Sequence, residues 1–347
     1  MPELPEVETV RAGLKQLLVG HAIISEHHDT PKGFPNSPGD VAQFLIGAKI
    51  IDVRRRAKVL MIDLNTRYTL VIHLKMTGQL VYVKNEQVPN DKSQKTIEIA
   101  PRHSRDLSSV ASAKEEGGNP VIKDPGSPIK SGMTEPVESR FGAGHPNDSL
   151  IGKLPDRSTR VQLKLDSGAT LYFNDQRKFG WMRLLPTVEV PNIDFMKKVG
   201  PEPLEEDFTA DVLFSRLQRR KNTSIKAAIL DQTVLAGIGN IYADESLWGA
   251  KIHPSTLVKN VSRKQIQILF KEIQYVLRLS IEKGGSTDRN YVNAEGKRGS
   301  YIDFARVFRK EGMPCPRHPG TEIIKIRVAA RGTHTCPKCQ KIKTSSS

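Results

Sequence analysis

"AKIIDVRRRAKVLMIDL" (48–64), then "NTR" (65–67) and "YTLVIHL" (68–74), is the stretch on which the fold class turns. Ile, Val, Leu and Met crowd both runs around a short polar break, which predicts strand–turn–strand. "RVQLKLDSGATLYFND" (160–175) predicts a second pair of strands, with Asp166, Ser167 and Gly168 as the turn. Upstream, "EVETVRAGLKQLLV" (6–19) places Val7, Val10, Leu14, Leu17 and Leu18 at spacings of three and four. That spacing predicts an amphipathic helix, with Pro5 suited to its first turn and Gly20 to its stop. The N-terminal half therefore reads as one helix followed by an antiparallel β-sandwich.

An interruption at about 85–156 holds eight of the 22 prolines, and Phe141 is its only aromatic residue. Such a composition buries too little apolar area to offset its ordering entropy, so we expect a long disordered insertion in a loop between strands. From about 205 the period becomes helical. "DFTADVLFSRLQRR", capped by Asp207 or Thr209, is followed by "SIKAAILD", "NIYADESLWGA" and "RKQIQILFKEIQYVLRLSIEKG", with "LAGIGN" as a glycine-rich turn between two helices. Short strands and turns return at 306–343. The fold class is α+β, with expected domains at 1–200, 201–305 and 306–347.

The 347 residues carry a formal charge of +15, which points to a polyanionic partner, most simply nucleic acid. The three cysteines all lie in the last 33 residues, an odd count that does not suit a disulfide framework. No secretory signal and no stretch long enough to span a membrane is apparent. We expect a soluble, cytoplasmic protein with reduced thiols and no membrane partner.

The cysteines form the most specific signal. "CPRH" offers Cys315 and His318, and "CPKC" offers Cys336 and Cys339, with 17 residues between the two knuckles. This is the form of a tetrahedral Cys₃His zinc ribbon, and four protein ligands close the site, so the expected cofactor is one structural zinc ion. Arg331 and Lys338 would decorate that ribbon. In "LAGIGN", Gly237 and Gly239 precede Asn240, where a helix would begin, and "QRRKNTSIK" upstream adds Arg219, Arg220, Lys221 and Lys226. A phosphate clamp and an ordinary turn between core helices are both compatible with that pattern. Lys58 lies between Ala57 and Val59 inside an apolar run. It either snorkels or is held at a groove to meet a phosphate.

"MPELPEVETV", "RRAKVL", "HLKMTG", "QRKFG", "GIGNIYADESL" with "IHP", "GGST" with "AEGKRGSY", and the terminal ribbon occur here in a single order. Together they resemble the formamidopyrimidine-DNA glycosylase (Fpg/Nei) family of base-excision repair enzymes. The motifs span nearly the whole chain outside 85–156.

The resemblance implies a helix-two-turn-helix motif in the C-terminal helical domain, and a monomer acting on damaged double-stranded DNA as glycosylase and AP lyase. It implies that Pro2, freed of its methionine, attacks C1′ of the damaged nucleotide. Glu3 is implied as the acid/base and Glu6 as its supporting carboxylate, although Glu6 also suits a helix N-terminus. Met76, Arg177 and Phe179 are implied to fill the gap left by the flipped base. Lys58, Lys226, Asn240 and Arg331 are implied to hold the phosphates around it. "VNAEGKRGSY" (292–301), with Gly296 and Gly299, resembles the loop that covers 8-oxoguanine in the purine branch, so oxidised purines are the expected substrates. Two other readings remain: the oxidised-pyrimidine branch, and a catalytically silent DNA-binding module. Two departures from the family pattern stand out. His318 replaces a cysteine, and Gln176 replaces a proline before Arg177.

Overall fold

The computed structural model describes residues 2–86, 137–144, 152–286 and 300–342. The N-terminal part is built on helix α1 (Leu4–Leu18) and two antiparallel sheets. One sheet has the order β1-β7-β8-β5-β6, from Ile23–His28, Thr159–Leu165, Thr170–Asp175, Gly78–Glu86 and Val137–Gly144. The other has the order β2-β3-β4-β9, from Ile50–Arg56, Val59–Leu64, Tyr68–His73 and Trp181–Pro186. Their shared core takes Val7, Val10, Leu14 and Leu18 from α1, alternate residues such as Leu163, Leu165, Leu171 and Phe173 from one sheet, and Leu60, Ile62, Leu70 and Ile72 from the other. A short α2 (Pro38–Asp40) precedes β2.

β3 is buried along its whole length. Leu60 and Ile62 face the main core, while Val59 and Met61 face a second apolar cluster with Val190, Phe195 and Met196. Those last residues belong to a covering segment that ends in α3 (Asp194–Lys198). Burial on both faces explains why β3 reads as a continuous apolar run without alternation.

Two expectations need correction. The run 48–64 is two strands, because the chain turns back between Arg56 and Val59 with Ala57 at φ 52. No Gly, Asn, Asp or Pro marks this turn. It is held from afar: the Ala57 amide donates to the Glu202 carboxylate, and Arg55 donates to both the Ala57 carbonyl (3.1 Å) and Glu202. The insertion is also narrower than 85–156. Residues 137–144 form edge strand β6, and Phe141 is 2% exposed, its ring pressed against Gly13 of α1. The lone aromatic marked a strand that the surrounding composition concealed. Residues 85–86 belong to β5 and 152–156 are also described, while the expectation for 87–136 and 145–151 falls outside the described residues.

The C-terminal half packs α4 (Ala210–Gln218), α5 (Ile225–Leu230), α6 (Asn240–Gly249) and α7 (Arg263–Glu282) around one apolar core. Thr209 is the cap of α4, its hydroxyl accepting from the Val212 amide at 3.2 Å. Every residue from Tyr242 to Gly249 in α6 is buried, which makes α6 the central helix of this part. After α8 (Tyr301–Phe304), two hairpins, β10–β11 (Pro314–Cys315, His318–Glu322) and β12–β13 (Ile324–Val328, Arg331–Thr335), complete the chain. Among the described residues no helix is long and apolar enough to cross a membrane.

Candidate active site and nucleic-acid interface

The first residues of the chain are anchored by the glycine-rich turn that precedes α6. The Leu4 amide donates to the Gly237 carbonyl at 3.0 Å, and Gly237 takes φ 81, a conformation that suits glycine. Pro2 is buried. The Glu3 carboxylate, 4% exposed, accepts from the Gly239 amide at 2.8 Å and the Ile241 amide at 3.1 Å. It therefore sits on the N-terminus of α6, and a Cβ at Gly239 would lie less than 3.0 Å from it. Sequence left this turn as either a clamp or an ordinary connection; here its free amides hold a carboxylate of the same chain. Burial pushes Glu3 up to about 7; the Lys58 charge opposes the shift and the Glu6 charge adds to it.

Glu6 is the hub of a polar cluster. Its Oε2 accepts from the Glu3 amide at 2.8 Å, closing a capping box. Its Oε1 accepts from the Tyr242 hydroxyl (2.5 Å), the Ser286 amide (2.8 Å) and the Ser286 hydroxyl (2.7 Å). Tyr242 is fully buried, and burial first, then the Glu6 charge, holds its hydroxyl well above the usual phenol range. It thus remains a donor. Glu6 thus starts the helix, and its carboxylate also binds Ser286.

Lys58, at the β2–β3 turn, is 5% exposed and donates to the Ile238 carbonyl at 2.8 Å. Burial lowers its ammonium, opposed by the charges of Glu3 and Glu6. Gln232 donates to the same carbonyl at 2.8 Å and accepts from the Gly237 amide at 2.9 Å. Pro2, Glu3, Glu6 and Lys58 are thus brought together around one turn. Sequence reasoning missed Gln232, Tyr242, Ser286 and Glu202, which position them. Tyr242 and Ser286 lie in the quoted "GIGNIYADESL" and "GGST" motifs without having been singled out, while Gln232 and Glu202 sit in stretches with no chemical signal of their own.

Met76, half-buried, lies in the turn joining β4 and β5, while Arg177 and Phe179 are exposed in the turn joining β8 and β9. The Arg177 guanidinium stacks over the Phe179 ring, 4.9 Å from its centroid. Fully buried Asp175 ties both turns together. It accepts from the Thr77 hydroxyl, from the Phe179 amide at 2.8 Å and from the Gly180 amide at 2.7 Å. Asp175 does carry a sequence signal, since an aspartate opening a turn bonds the amides that follow it. At the end of β4, His73 accepts from the Lys75 amide at 3.0 Å, and burial pushes its imidazole down to about 3, so it is neutral.

Asn240 opens α6 as expected and donates to the Gly332 carbonyl at 3.0 Å, across to the β12–β13 hairpin. Arg331, at the tip of that hairpin, is exposed. Lys226 departs from expectation. It is 0% exposed and donates to Asp244 at 2.6 Å and the Thr333 hydroxyl at 2.7 Å. Its ammonium is spent on an internal ion pair between α5, α6 and β13, so it is not presented to a phosphate. Gly296 and Gly299 lie outside the described residues.

Cys315, His318, Cys336 and Cys339 converge, their donor atoms all within 4.8 Å of one another. Cys315 and Cys339 sulfurs are 3.6 Å apart, and His318 Nδ1 is 3.1 Å from Cys339 Sγ. Tetrahedral bonds of roughly 2.3 Å put sulfurs roughly 3.8 Å apart, so the set fits a four-coordinate metal ion. All three cysteines are free thiols, and Trp248, Val307 and Ile323 wall the cluster.

The chain matches the family model described as formamidopyrimidine-DNA glycosylase N-terminal domain over residues 1–110, and that described as formamidopyrimidine-DNA glycosylase H2TH domain over 199–291. It is 35% identical to a formamidopyrimidine-DNA glycosylase of Pelotomaculum thermopropionicum, covering 99% of this chain and 100% of the relative. Identity to the enzyme of that name from Herpetosiphon aurantiacus is 37%, over 98% and 100%. Among solved structures, the Lactococcus lactis Fpg in complex with abasic-site-containing DNA is similar at TM-score 0.71 and 30% identity, covering 98% of this chain and 99% of that one. The MutM (Fpg) protein of Thermus thermophilus is similar at TM-score 0.70 and 29% identity, over 99% and 100%.

Proposed function

The chain belongs to the formamidopyrimidine-DNA glycosylase family, and from that premise we propose that it excises oxidised purines, 8-oxoguanine and formamidopyrimidines, from duplex DNA and then cuts the strand by β,δ-elimination. The observation that carries this reading is the buried Glu3 carboxyl, held by two backbone amides next to Pro2 and raised to about 7.

A free α-amino group ordinarily titrates near 8, far below a lysine, which is why Pro2, freed of its methionine, suits a nucleophile near pH 7. Its nitrogen bonds to C1′ as the bond from C1′ to the base breaks. Glu3, partly protonated near neutrality, delivers a proton to O4′ as the sugar opens. The product is a permanently charged iminium that acidifies C2′. Loss of the C2′ proton to the Glu3 carboxylate expels the 3′-phosphate, a second elimination expels the 5′-phosphate, and water then hydrolyses the C1′–nitrogen bond to free Pro2. Glu6 positions the Glu3 backbone and, by its charge, keeps the Glu3 carboxyl protonatable. Lys58 supplies positive charge beside the carboxylates, where a flanking phosphate would lie.

Met76, Arg177 and Phe179, on two turns fixed by one aspartate, are proposed to occupy the gap opposite the orphaned base. Asn240 and Arg331 are proposed to hold phosphates beside the α6 N-terminus, whose Gly239 and Ile241 amides are taken by Glu3. The four-residue cluster is proposed to hold one structural zinc ion, through Cys315, His318, Cys336 and Cys339. When bound, the ion cross-links the two knuckles and so fixes the hairpin that bears Arg331. We further propose a soluble cytoplasmic monomer, with the domain boundaries 1–200, 201–305 and 306–347.

The test is borohydride trapping on duplexes holding one 8-oxoguanine opposite cytosine, with an oxidised-pyrimidine duplex in parallel. A covalent band mainly with 8-oxoguanine, mapped to Pro2, is the expected result. A band mainly with the pyrimidine moves the substrate to the other branch. Tight binding with no band on either, from protein lacking its methionine, overturns the enzymatic reading.

A further inference from the structure

We propose that the cleft between α3 and the C-terminal end of α4 is a second DNA-backbone site, which grips phosphates of the duplex flanking the lesion. The inference rests on the reading of the chain as a DNA-binding enzyme. It concerns residues to which that reading gives no part.

The cleft has a volume of about 320 Å³ and is lined by Lys198, Arg216, Arg219, Arg220, Thr233 and Val234. Four of the six are cations and none is acidic. Arg216, Arg219 and Arg220 follow at i, i+3 and i+4, so they share one side of the chain as α4 ends. A helix C-terminus favours cations, which accounts for some of this clustering. It does not account for Lys198, which comes from α3 on a separate part of the chain and is exposed in the same cleft. Arg220 is neutralised by Asp231 at 2.7 Å, and Arg216 is braced by the Thr233 carbonyl at 3.3 Å. Lys198 and Arg219 form no ion pair among the described residues, so two converging cations lack a counter-charge.

A neighbouring hollow of about 220 Å³ shares Lys198 and Thr233 and is otherwise lined by Asp194, Phe195, Val199 and Gln232. Gln232 bonds the Ile238 carbonyl at 2.8 Å, the same carbonyl that receives Lys58 at 2.8 Å. Guanidinium and ammonium groups lining one cleft suit phosphate oxygens. An acidic protein segment is the other polyanion of matching charge. The formal charge of +15 and the reading of the chain as a DNA-binding enzyme favour DNA.

The experiment measures binding of the full-length protein to a 30-base-pair duplex carrying an uncleavable abasic analogue, and to the same duplex undamaged, across a salt series. Lys198→Ala with Arg219→Ala should weaken both and lower the slope of log affinity against log salt by about 1.8, two phosphate contacts' worth. Lys198→Arg with Arg219→Lys should keep the wild-type slope. Single-turnover excision at saturating protein should stay at the wild-type rate. An unchanged affinity and slope overturns the proposal. If the alanine pair instead loses binding of a poly-glutamate peptide while DNA binding stands, the cleft belongs to an acidic protein segment and the proposal also falls. A wild-type protein that cuts no lesion yet shows the slope change would sink the activity reading and leave the cleft standing.

Discussion

Gly239 lies so close to Glu3 that its amide bonds the carboxylate at 2.8 Å and no Cβ fits between them. At Gly239 the backbone φ is −133°, which any residue adopts, so alanine there would be unstrained in the main chain. The cost falls on Glu3, which must move. Displacing a reacting group by about 1 Å costs on the order of 100-fold in rate. Gly239→Ala is therefore expected to cut single-turnover excision by roughly that factor while DNA affinity and the melting temperature stay near wild type. A rate within threefold of wild type would show that the carboxylate does not depend on this contact.

The raised Glu3 carboxyl makes a pH prediction with a definite sign. Its folded pKa of about 7 lies above the unfolded carboxylate value, so the stability it contributes is complete below about pH 4.5 and is lost as pH rises towards and through 7. The gap in stability between wild type and Glu3→Gln should thus shift against wild type between pH 5 and pH 8, by up to about 3 kcal/mol. Because the Glu6 charge helps raise Glu3, Glu6→Gln should move the alkaline limb of the excision profile to lower pH. Denaturant melts at the two pH values, together with a rate profile of each variant, check both statements.

Asp175 anchors the turns that carry Met76, Arg177 and Phe179. Asp175→Ala would strand the amides of Phe179 and Gly180 and the Thr77 hydroxyl in a buried place, at roughly 1–3 kcal/mol for each group left unpaired. Beyond the loss of stability, the variant should discriminate less between lesion and undamaged duplex, by about 10-fold or more, because the exposed wedge would no longer be held in one geometry. Competition binding between the two duplexes reads this directly. Retained discrimination in a folded Asp175→Ala protein would argue that the wedge needs no anchor.

How much of this was legible in the chain differs by element, for physical reasons. α1 announced itself because only one of its faces is buried, and its period of three and four is what one-sided burial writes. The turn at Ala57 was invisible because Glu202, well over a hundred residues away, holds it, and nothing local needs to favour it. Cys315, His318, Cys336 and Cys339 could be paired from spacing alone, since metal knuckles are local. The internal partner of Lys226 was hidden for the opposite reason. The resemblance implied a phosphate contact there, and nothing local in the sequence pointed to Asp244. Asp244 lies within a helix whose entire circumference is buried, so no periodicity set it apart.

The metal cluster gives a test that needs no substrate. Cys336→Ser removes one of four converging donors, and metal analysis should fall from one zinc per chain to near none. Trp248 packs against Cys315, Cys336 and Cys339, so its fluorescence should change when a chelator acts on wild type. DNA affinity should fall with the metal, because Arg331 sits on the hairpin that the cluster supports. Wild-type protein that carries no zinc after metal-replete expression would rule out the assignment.

The internal pairing of Lys226 separates a structural role from a phosphate contact. Removing one member of a buried ion pair leaves the other charge stranded, at roughly 3–5 kcal/mol, whereas replacing both members by groups of matching size can be close to neutral. Lys226→Met should therefore lower stability by about that amount, and Lys226→Met with Asp244→Leu should recover part of it, less the loss of Asp244's bond to the His334 amide at 2.9 Å. Neither change should alter the salt slope of DNA binding, because a fully buried ammonium releases no counterion from DNA. A slope reduced by about 0.9 in a stable Lys226→Met protein would return this lysine to the phosphate contacts.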